Sequence, residues 1–237
     1  MPPLAVLSDL HANLCATQAV TADLQRRGLT SVLVLGDLVG YLTRPNQVAA
    51  LVAGQGWSCL AGNYDQAILA GGEAGIEQFL KPGIGPEPRA IFSWTEQRVN
   101  QTTRAFLAGL PGQLTLEQEG CRLLAVHGSP ASLRQYVQPD HPEEELSAWL
   151  AQAKVQVLCL GHTHRPFVRS VSGGLVVNPG SVGKSKDGDP RASYAIIELG
   201  PRPRAQIVRL EWDIEDEARR LMEAGLGARV ERLRQGL

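Results

Sequence analysis

Five short apolar runs, each followed at once by Gly or Ser and a polar cluster, constrain the fold of this chain most strongly. They are LAVLSDLH (4–11), SVLVLGD (31–37), WSCLAGNYD (57–65), RLLAVHGS (122–129) and VQVLCLGHTH (155–164). Continuous apolar runs of this length suit strands that are buried on both faces. Helical patterns cover residues 12–27 and 45–53, with Pro45 at a first helical position. The alternation of strand and helix predicts right-handed crossovers and a largely parallel core.

The remaining segments have other sequence patterns. Residues 71–90 are dense in Gly and Pro and predict a surface excursion, followed by helices near 91–109. The stretch 71–110 could therefore be a lid or specificity insert, or simply a tolerated surface loop. After residue 165, short alternating segments predict an antiparallel meander with a hairpin turn at Gly173-Gly174. Residues 213–237 predict one or two amphipathic helices, and we expect residues 1–237 to form a single domain.

Composition points to no particular partner. The 237 residues carry a net charge of −1, which provides no general attraction to nucleic acid or to an anionic membrane. No apolar stretch approaches the length of a membrane span, and the N-terminus has no basic leader, so we expect a cytoplasmic protein. The four cysteines are widely separated, a spacing that suggests neither a zinc knuckle nor a disulfide framework.

The polar residues that end the five runs form one chemical set. They are Asp9, His11, Asp37, Asn63, His127, His162 and His164. Functional groups collect at the carboxyl ends of parallel strands, and residues two apart in a strand point to the same side. Each of these residues alone could instead be a helix cap or a hydrogen-bonded structural histidine. Together they form a mixed nitrogen and oxygen set that suits Mn, Fe, Zn or similar ions.

Seven ligands exceed what one ion needs. They suit two ions about 3.5 to 4 Å apart that share a bridging carboxylate and activate water for displacement at phosphorus. The fifth histidine is different, because His141 precedes Pro142 and an acidic first turn, a pattern typical of a helix start.

The ordered motifs resemble a known family. DLH (9–11), GDLVGY (36–41), GNYD (62–65), VHGSP (126–130), GHTH (161–164) and NPGSVG (178–183) resemble the signature blocks of the calcineurin-like metallophosphoesterases. The chain looks most like the small bacterial and archaeal phosphodiesterase-type branch, over about residues 4–199. The resemblance implies an α/β (α+β) fold, a four-layer α-β-β-α sandwich that holds a dinuclear site.

The same resemblance implies a role for each ligand. The first metal would be bound by Asp9, His11, Asp37 and His164. The second would be bound by Asp37, Asn63, His127 and His162, with Asp37 as the bridge.

One motif departs from the family pattern. Many members read Gly-Asn-His where this chain has Gly62, Asn63 and Tyr64, and that histidine helps to protonate the leaving group. Tyr64 could bind the phosphate while water transfers the proton, or another residue such as Asp65 could supply the acid. A third alternative is feeble catalysis in a metal-bound interaction module.

The resulting hypothesis is that the protein is a metal-dependent phosphoesterase that uses a metal-bridging hydroxide as nucleophile. We expect a phosphodiesterase rather than a monoesterase. We expect two divalent ions, with Mn first and Fe, Zn, Ni or Co as alternatives. The substrate would be a small-molecule phosphate ester or nucleotide. A dinucleoside polyphosphate hydrolase, a protein phosphatase and a non-catalytic module remain alternatives, and a homo-oligomer stays open.

The candidate substrate residues are basic. Arg44 follows the second motif, and Lys184, Lys186 and Arg191 cluster after the last one. Guanidinium and ammonium groups suit phosphate oxygens. The alternative is a solvated basic turn offset by Asp187 and Asp189.

Overall fold

The computed structural model of the protein describes residues 2–80 and 83–237. In chain order, the strands β1 to β10 are Leu4–Leu7, Ser31–Val34, Ser58–Cys59, Gln113–Gln118, Cys121–Val126, Val157–Cys159, Phe167–Val171, Gly174–Asn178, Ala192–Glu198 and Arg204–Leu210. The helices α1 to α9 are Leu14–Arg26, Pro45–Gln55, Asn63–Ala70, Gly72–Phe79, Pro86–Arg98, Gln101–Ala108, Glu143–Ala153, Ile214–Glu223 and Val230–Gln235. A short 3-10 helix, Gly227–Arg229, precedes α9. Within the described ranges, every helix is too short or too polar to cross a membrane.

The strands form two sheets of five. The first sheet has the order β10-β9-β1-β2-β3 and the second has the order β4-β5-β6-β8-β7. The centre of each sheet is parallel, because β1 and β3 flank β2 in one and β5 and β8 flank β6 in the other. The remaining pairings are antiparallel. The five apolar runs do form parallel strands, but they are divided between two sheets.

The apolar runs are continuous because each strand is covered on both faces. In β1, Val6 packs between the two sheets while Leu7 packs under the helices of the first sheet. In β6, Cys159 points between the sheets and Leu158 packs toward α7. Helices therefore cover the outer face of each sheet, and the predicted four-layer α-β-β-α sandwich is confirmed.

The predicted meander after residue 165 is wrong in its pairing. Strands β7 and β8 form a hairpin in the second sheet, whereas β9 and β10 form one in the first. The turn residues of the first hairpin are Ser172 and Gly173, because Val171 pairs with Gly174. A Cβ at Gly174 would lie 2.1 Å from the carbonyl oxygen of Gln156. The close approach of β8 to the start of β6 thus requires that glycine.

The segment expected to be a surface excursion contains helix instead. Helix α4 occupies residues 72–79, and α5 begins at Pro86. Proline is favoured at this first helical position because its fixed φ angle already suits a helix. Lys81 and Pro82, which fall in the proposed insert, lie outside the described residues. The end of the chain is helical, as its pattern predicts.

Candidate metal centre

The carboxyl ends of β1, β2, β5 and β6 and the start of α3 converge on one buried site. Two groups of side chains there have ligand atoms within 4.8 Å of one another. The first group is Asp9, His11 and His164, and the second is Asp37, His127 and His162. The structure therefore brings together all seven residues that the sequence selects, with Asn63 beside the second group.

The first group closes around a single point. Nε2 of His11 lies 3.1 Å from Nε2 of His164. Oδ1 of Asp9 lies 3.6 Å from the former nitrogen and 3.3 Å from the latter. Ligand atoms about 2.1 Å from one ion, at octahedral or tetrahedral angles, are about 3.0 to 3.4 Å apart. Two of the three distances lie in this range and the third is 0.2 Å longer, so the spacing is close to that of a coordination shell.

The second group has the same spacing. Nε2 of His127 lies 3.2 Å from Nδ1 of His162 and 2.9 Å from Oδ1 of Asn63. The amide of Asn63 is oriented by its other end, since its Nδ2 donates a hydrogen bond to the carbonyl of Phe79 at 3.0 Å. Its oxygen is thereby held toward the two imidazoles.

Asp37 lies between the two groups. Its Oδ2 is 3.6 Å from Nε2 of His11 in the first group and 3.5 Å from Nε2 of His127 in the second. Its other oxygen accepts a hydrogen bond from the backbone N–H of Tyr64 at 2.7 Å. One oxygen of this carboxylate thus faces both groups, which is the position of a bridging ligand.

The tautomers of these histidines place unprotonated ring nitrogens next to other hydrogen-bond acceptors. Nδ1 of His11 lies 3.1 Å from the carbonyl of Val39, Nδ1 of His127 lies 2.7 Å from that of Leu35, and Nδ1 of His164 contacts the carbonyl of Lys184. Each Nδ1 must carry the proton to donate to a carbonyl, so each Nε2 is an acceptor. The short approaches between acceptors in both groups are explained if cations lie between them.

Burial lowers the pKa of three of the imidazoles, those of His11, His162 and His164, and so favours their neutral form. It lowers the pKa of His11 to about 4 and that of His162 to about 3. Burial also raises the pKa of Asp37, and the charge of Asp9 raises it further. Oδ1 of Asp9 is buried and accepts no hydrogen bond from the part of the chain that the structure describes. Two buried carboxylates beside neutral imidazoles, with an oxygen unsatisfied, fit divalent cations well.

Five of the seven candidate ligands have a left-handed backbone. Their φ angles are 53° for Asp9, 46° for His11, 55° for Asp37, 66° for His162 and 60° for His164. For residues other than glycine this conformation costs of order 1 to 3 kcal/mol each. Such strain concentrates where side chains must be aimed at a functional site, and no pattern in the sequence predicts it here.

Tyr64 lies in the wall of the cleft above this centre. Its side chain packs against the Tyr41 ring, with centroids 5.2 Å apart, and only 3% of the residue is exposed. A Cβ on Gly40 would lie 2.4 Å from the Tyr64 ring, so the phenol rests directly on that glycine. Burial raises the pKa of Tyr64 well above its usual value, and Tyr41 adds to the shift. The phenol is accordingly a weak proton donor.

Asp65 does not reach the cleft. It is fully buried, and its carboxylate accepts hydrogen bonds from the backbone N–H groups of Leu38, Val39 and Gly62 at 2.9, 3.3 and 3.0 Å. Burial and the charge of Asp37 raise the pKa of Asp65 to about 7. The carboxylate therefore braces the loops that carry Asp37 and Asn63, and the expectation that it supplies the acid is not supported by its position.

Three of the candidate substrate residues are also engaged elsewhere. The guanidinium of Arg44 pairs with Glu217 at 2.9 Å, Nζ of Lys184 donates to the carbonyl of Leu237 at 2.9 Å, and Arg191 pairs with Asp189 at 2.6 Å. None of the three lines the cleft. The basic cluster contributes Lys186 there instead.

Sequence reasoning missed several residues of the cleft. They include Tyr41, Arg134 and Tyr136. The first ends the GDLVGY motif, and the other two follow VHGSP within ten residues. Proximity to those motifs was the available signal.

Comparisons with known proteins agree with this geometry. Residues 3–201 match the calcineurin-like phosphoesterase superfamily domain. An uncharacterised protein of Methanocaldococcus jannaschii is 30% identical over 229 residues, which are 90% of this chain and 88% of that protein. A metallophosphoesterase from Sphaerobacter thermophilus has 29% identity and a TM-score of 0.78, covering 100% of this chain and 99% of the other.

A hypothetical protein from Pyrococcus horikoshii shares the fold at a TM-score of 0.88, with 22% identity over 100% of this chain and 99% of the other. The motifs, the paired acceptor groups and the match over most of the chain lead to one conclusion. This protein belongs to the calcineurin-like phosphoesterase superfamily.

Proposed function

We propose that the protein is a phosphodiesterase that works with two divalent metal ions. The first would be held by Asp9, His11, Asp37 and His164. The second would be held by Asp37, Asn63, His127 and His162. The observation that carries the proposal is the position of Asp37, whose Oδ2 lies 3.6 and 3.5 Å from a nitrogen of each group.

Two ions held in this way would polarise the phosphoryl oxygens and supply a bridging hydroxide as the nucleophile. The chain itself provides orientation. Asn63 is fixed by the carbonyl of Phe79, and the imidazoles are fixed by backbone carbonyls, so the ligands need little rearrangement. Asp65 holds the loop N–H groups beside Asp37.

Proton transfer to the leaving group is the weak part of this site. Tyr64 replaces the usual histidine, and its raised pKa makes it a poor acid at neutral pH. We propose that Tyr64 hydrogen-bonds the phosphate and that water protonates the leaving oxygen. The enzyme should therefore favour esters with good leaving groups.

The shape of the cleft favours a small diester. Its volume of about 300 Å³ is at the small end for ligand sites, which suits a small molecule better than a phosphoprotein segment. A diester also carries a second organic group, for which the cleft offers apolar residues next to the centre.

We further propose Mn²⁺ as the working ion and a cytoplasmic location. A donor set of imidazoles, carboxylates and an amide oxygen suits Mn²⁺ as well as Fe, Zn, Ni or Co. The four cysteines are free thiols, as is usual in a reducing compartment.

The test is an assay of purified, metal-loaded protein. Bound metal is measured first, and then turnover of bis-p-nitrophenyl phosphate is compared with that of p-nitrophenyl phosphate in Mn²⁺. We expect the diester to be the better substrate. If no turnover of either compound occurs with Mn, Ni, Co or Zn while two ions are bound, the protein is a metal-stabilised interaction module instead.

A further inference from the structure

The cleft above the metal centre is lined by two chemically different sets of side chains. One set consists of the cations Arg134 and Lys186, and the other set is apolar. These apolar residues, which we call the apolar wall, are Phe79, Leu80, Ile84 and Pro88. A site lined in this way suits a ligand with a charged group and an apolar group.

The apolar wall comes from the insert between the third and fourth strands. Phe79 and Leu80 lie at the end of α4, Ile84 lies in the connection, and Pro88 lies in the first turn of α5. The wall is tied to the metal centre, because the Asn63 amide donates to the Phe79 carbonyl. The insert is thus positioned to contact whatever group is attached to a phosphate at the centre.

The ammonium group of Lys186 lies near the candidate metal ligands. Nζ of Lys186 lies 5.7 Å from the Tyr41 ring, and the charges of Asp9 and Asp37 act on it. Within the described ranges, no carboxylate forms an ion pair with its ammonium group. Arg134 lies in the loop after β5 and donates to the carbonyl of Gln78 on α4 at 2.6 Å, so its guanidinium is held beside the helix that ends at Phe79.

An aromatic ring forms the rim beside these cations. Tyr136 is 52% exposed, and its ring lies 4.3 Å from that of His162. Phe79 also lines the cleft, and a lining with two aromatic rings favours a flat group over a branched aliphatic one.

We propose that the cleft selects phosphate esters in which one ester group is a flat, apolar ring. The phosphate would lie at the metal centre between Lys186 and Arg134, and the ring would lie against the apolar wall. This inference rests on the proposed function for the place of the phosphate. It adds the substrate class and names the residues of the insert as those that determine specificity.

The test measures binding with probes that cannot be hydrolysed. Mn²⁺-loaded protein is titrated calorimetrically with phenylphosphonate and with methylphosphonate, which share one head group. We expect phenylphosphonate to bind about tenfold more tightly, which is what partial burial of one ring contributes.

Four variants locate the effect. Ile84→Ser and Pro88→Ser should bring the affinity ratio of the two phosphonates to within about threefold, because each removes apolar contact. Val168→Ser is the matched control on β7, and it should leave the ratio unchanged. Lys186→Gln should weaken both phosphonates about tenfold and leave their ratio unchanged, because it acts on the shared head group.

Partial unfolding would weaken the binding of both phosphonates alike, so the ratio of their affinities controls for it. Equal binding of the two phosphonates by the unmodified protein would overturn the inference, as would an unchanged ratio in both wall variants. If the ratio is as expected but no phosphodiester is turned over, the proposed function fails and the binding inference stands. If phosphodiesters are turned over but the affinity ratio of the two phosphonates is near one, the proposed function stands and the binding inference fails.

Discussion

Replacing Tyr64 by histidine tests how this site protonates its leaving group. The tyrosine is 3% exposed and rests on Gly40, with its ring 5.2 Å from Tyr41 and 6.2 Å from Phe92. Tyr64→His removes two buried heavy atoms and leaves a small void. Truncations of this size in a packed aromatic cluster cost about 1 to 3 kcal/mol, so the variant should fold with a lowered melting temperature.

The catalytic effect should depend on the leaving group. General acid help is worth about 10²- to 10⁴-fold where the leaving oxygen needs a proton. We expect about 10- to 100-fold for Tyr64→His, at or below the lower end of that range, because the buried surroundings disfavour a protonated imidazole. The gain in kcat/KM should appear with a 2′,3′-cyclic nucleoside phosphate, which expels an alkoxide. It should be under threefold with bis-p-nitrophenyl phosphate, whose phenolate leaves unaided.

The matched control is Tyr64→Phe, which keeps the ring packing and removes the hydroxyl. It should show no gain with either substrate. If Tyr64→His folds, binds as much metal as the unmodified protein and gains nothing with the alkoxide ester, the missing acid does not limit this enzyme and the reasoning is refuted.

Three further predictions concern stability. Asp23 accepts a hydrogen bond from Tyr194 at 2.6 Å. Burial alone would raise the pKa of the Asp23 carboxyl, but its hydrogen bonds lower that pKa. The ionised carboxylate therefore stabilises the fold above the pKa of the unfolded chain, and this stabilisation is lost in acid. Tyr194→Phe should cost about 1 to 3 kcal/mol at pH 7 and less near pH 3 by urea unfolding; an equal cost at both would contradict this. Glu217 is fully buried and accepts from Thr43 and Arg44, so Glu217→Ala should speed proteolysis within α8, whereas Glu223→Ala should not. Chelation with EDTA should lower the melting temperature, and added Mn²⁺ should restore it; an unchanged melting temperature would mean that no stabilising ion binds.

The candidate metal ligands could be predicted because the signal is local. Each lies within a few residues of a strand end, and the pairs Asp9 with His11 and His162 with His164 are recognisable by their spacing alone. The strands themselves were evident from apolar runs covered on both faces. What the runs could not indicate is which sheet each strand joins, because a strand between two layers reads the same in either sheet.

The substrate side could not be predicted because its members depend on distant partners. Arg44 is withdrawn from the cleft by Glu217, 173 residues further along the chain. Lys184 and Lys186 look equivalent in sequence, yet the ammonium of Lys184 reaches the carbonyl of Leu237 while that of Lys186 faces the cleft. The apolar wall was hidden in a segment whose Gly and Pro content suggested loop, although Pro86 begins a helix there.

Electron paramagnetic resonance of the Mn²⁺-loaded protein, together with its metal content, tests whether Asp37 bridges a pair of ions. Because Oδ2 of Asp37 faces both candidate ligand groups, we predict two Mn²⁺ per chain with an exchange-coupled spectrum. Asp37→Asn should abolish the coupling and most of the phosphodiesterase activity together. One ion per chain, two uncoupled ions, or full coupling and activity in Asp37→Asn would contradict it.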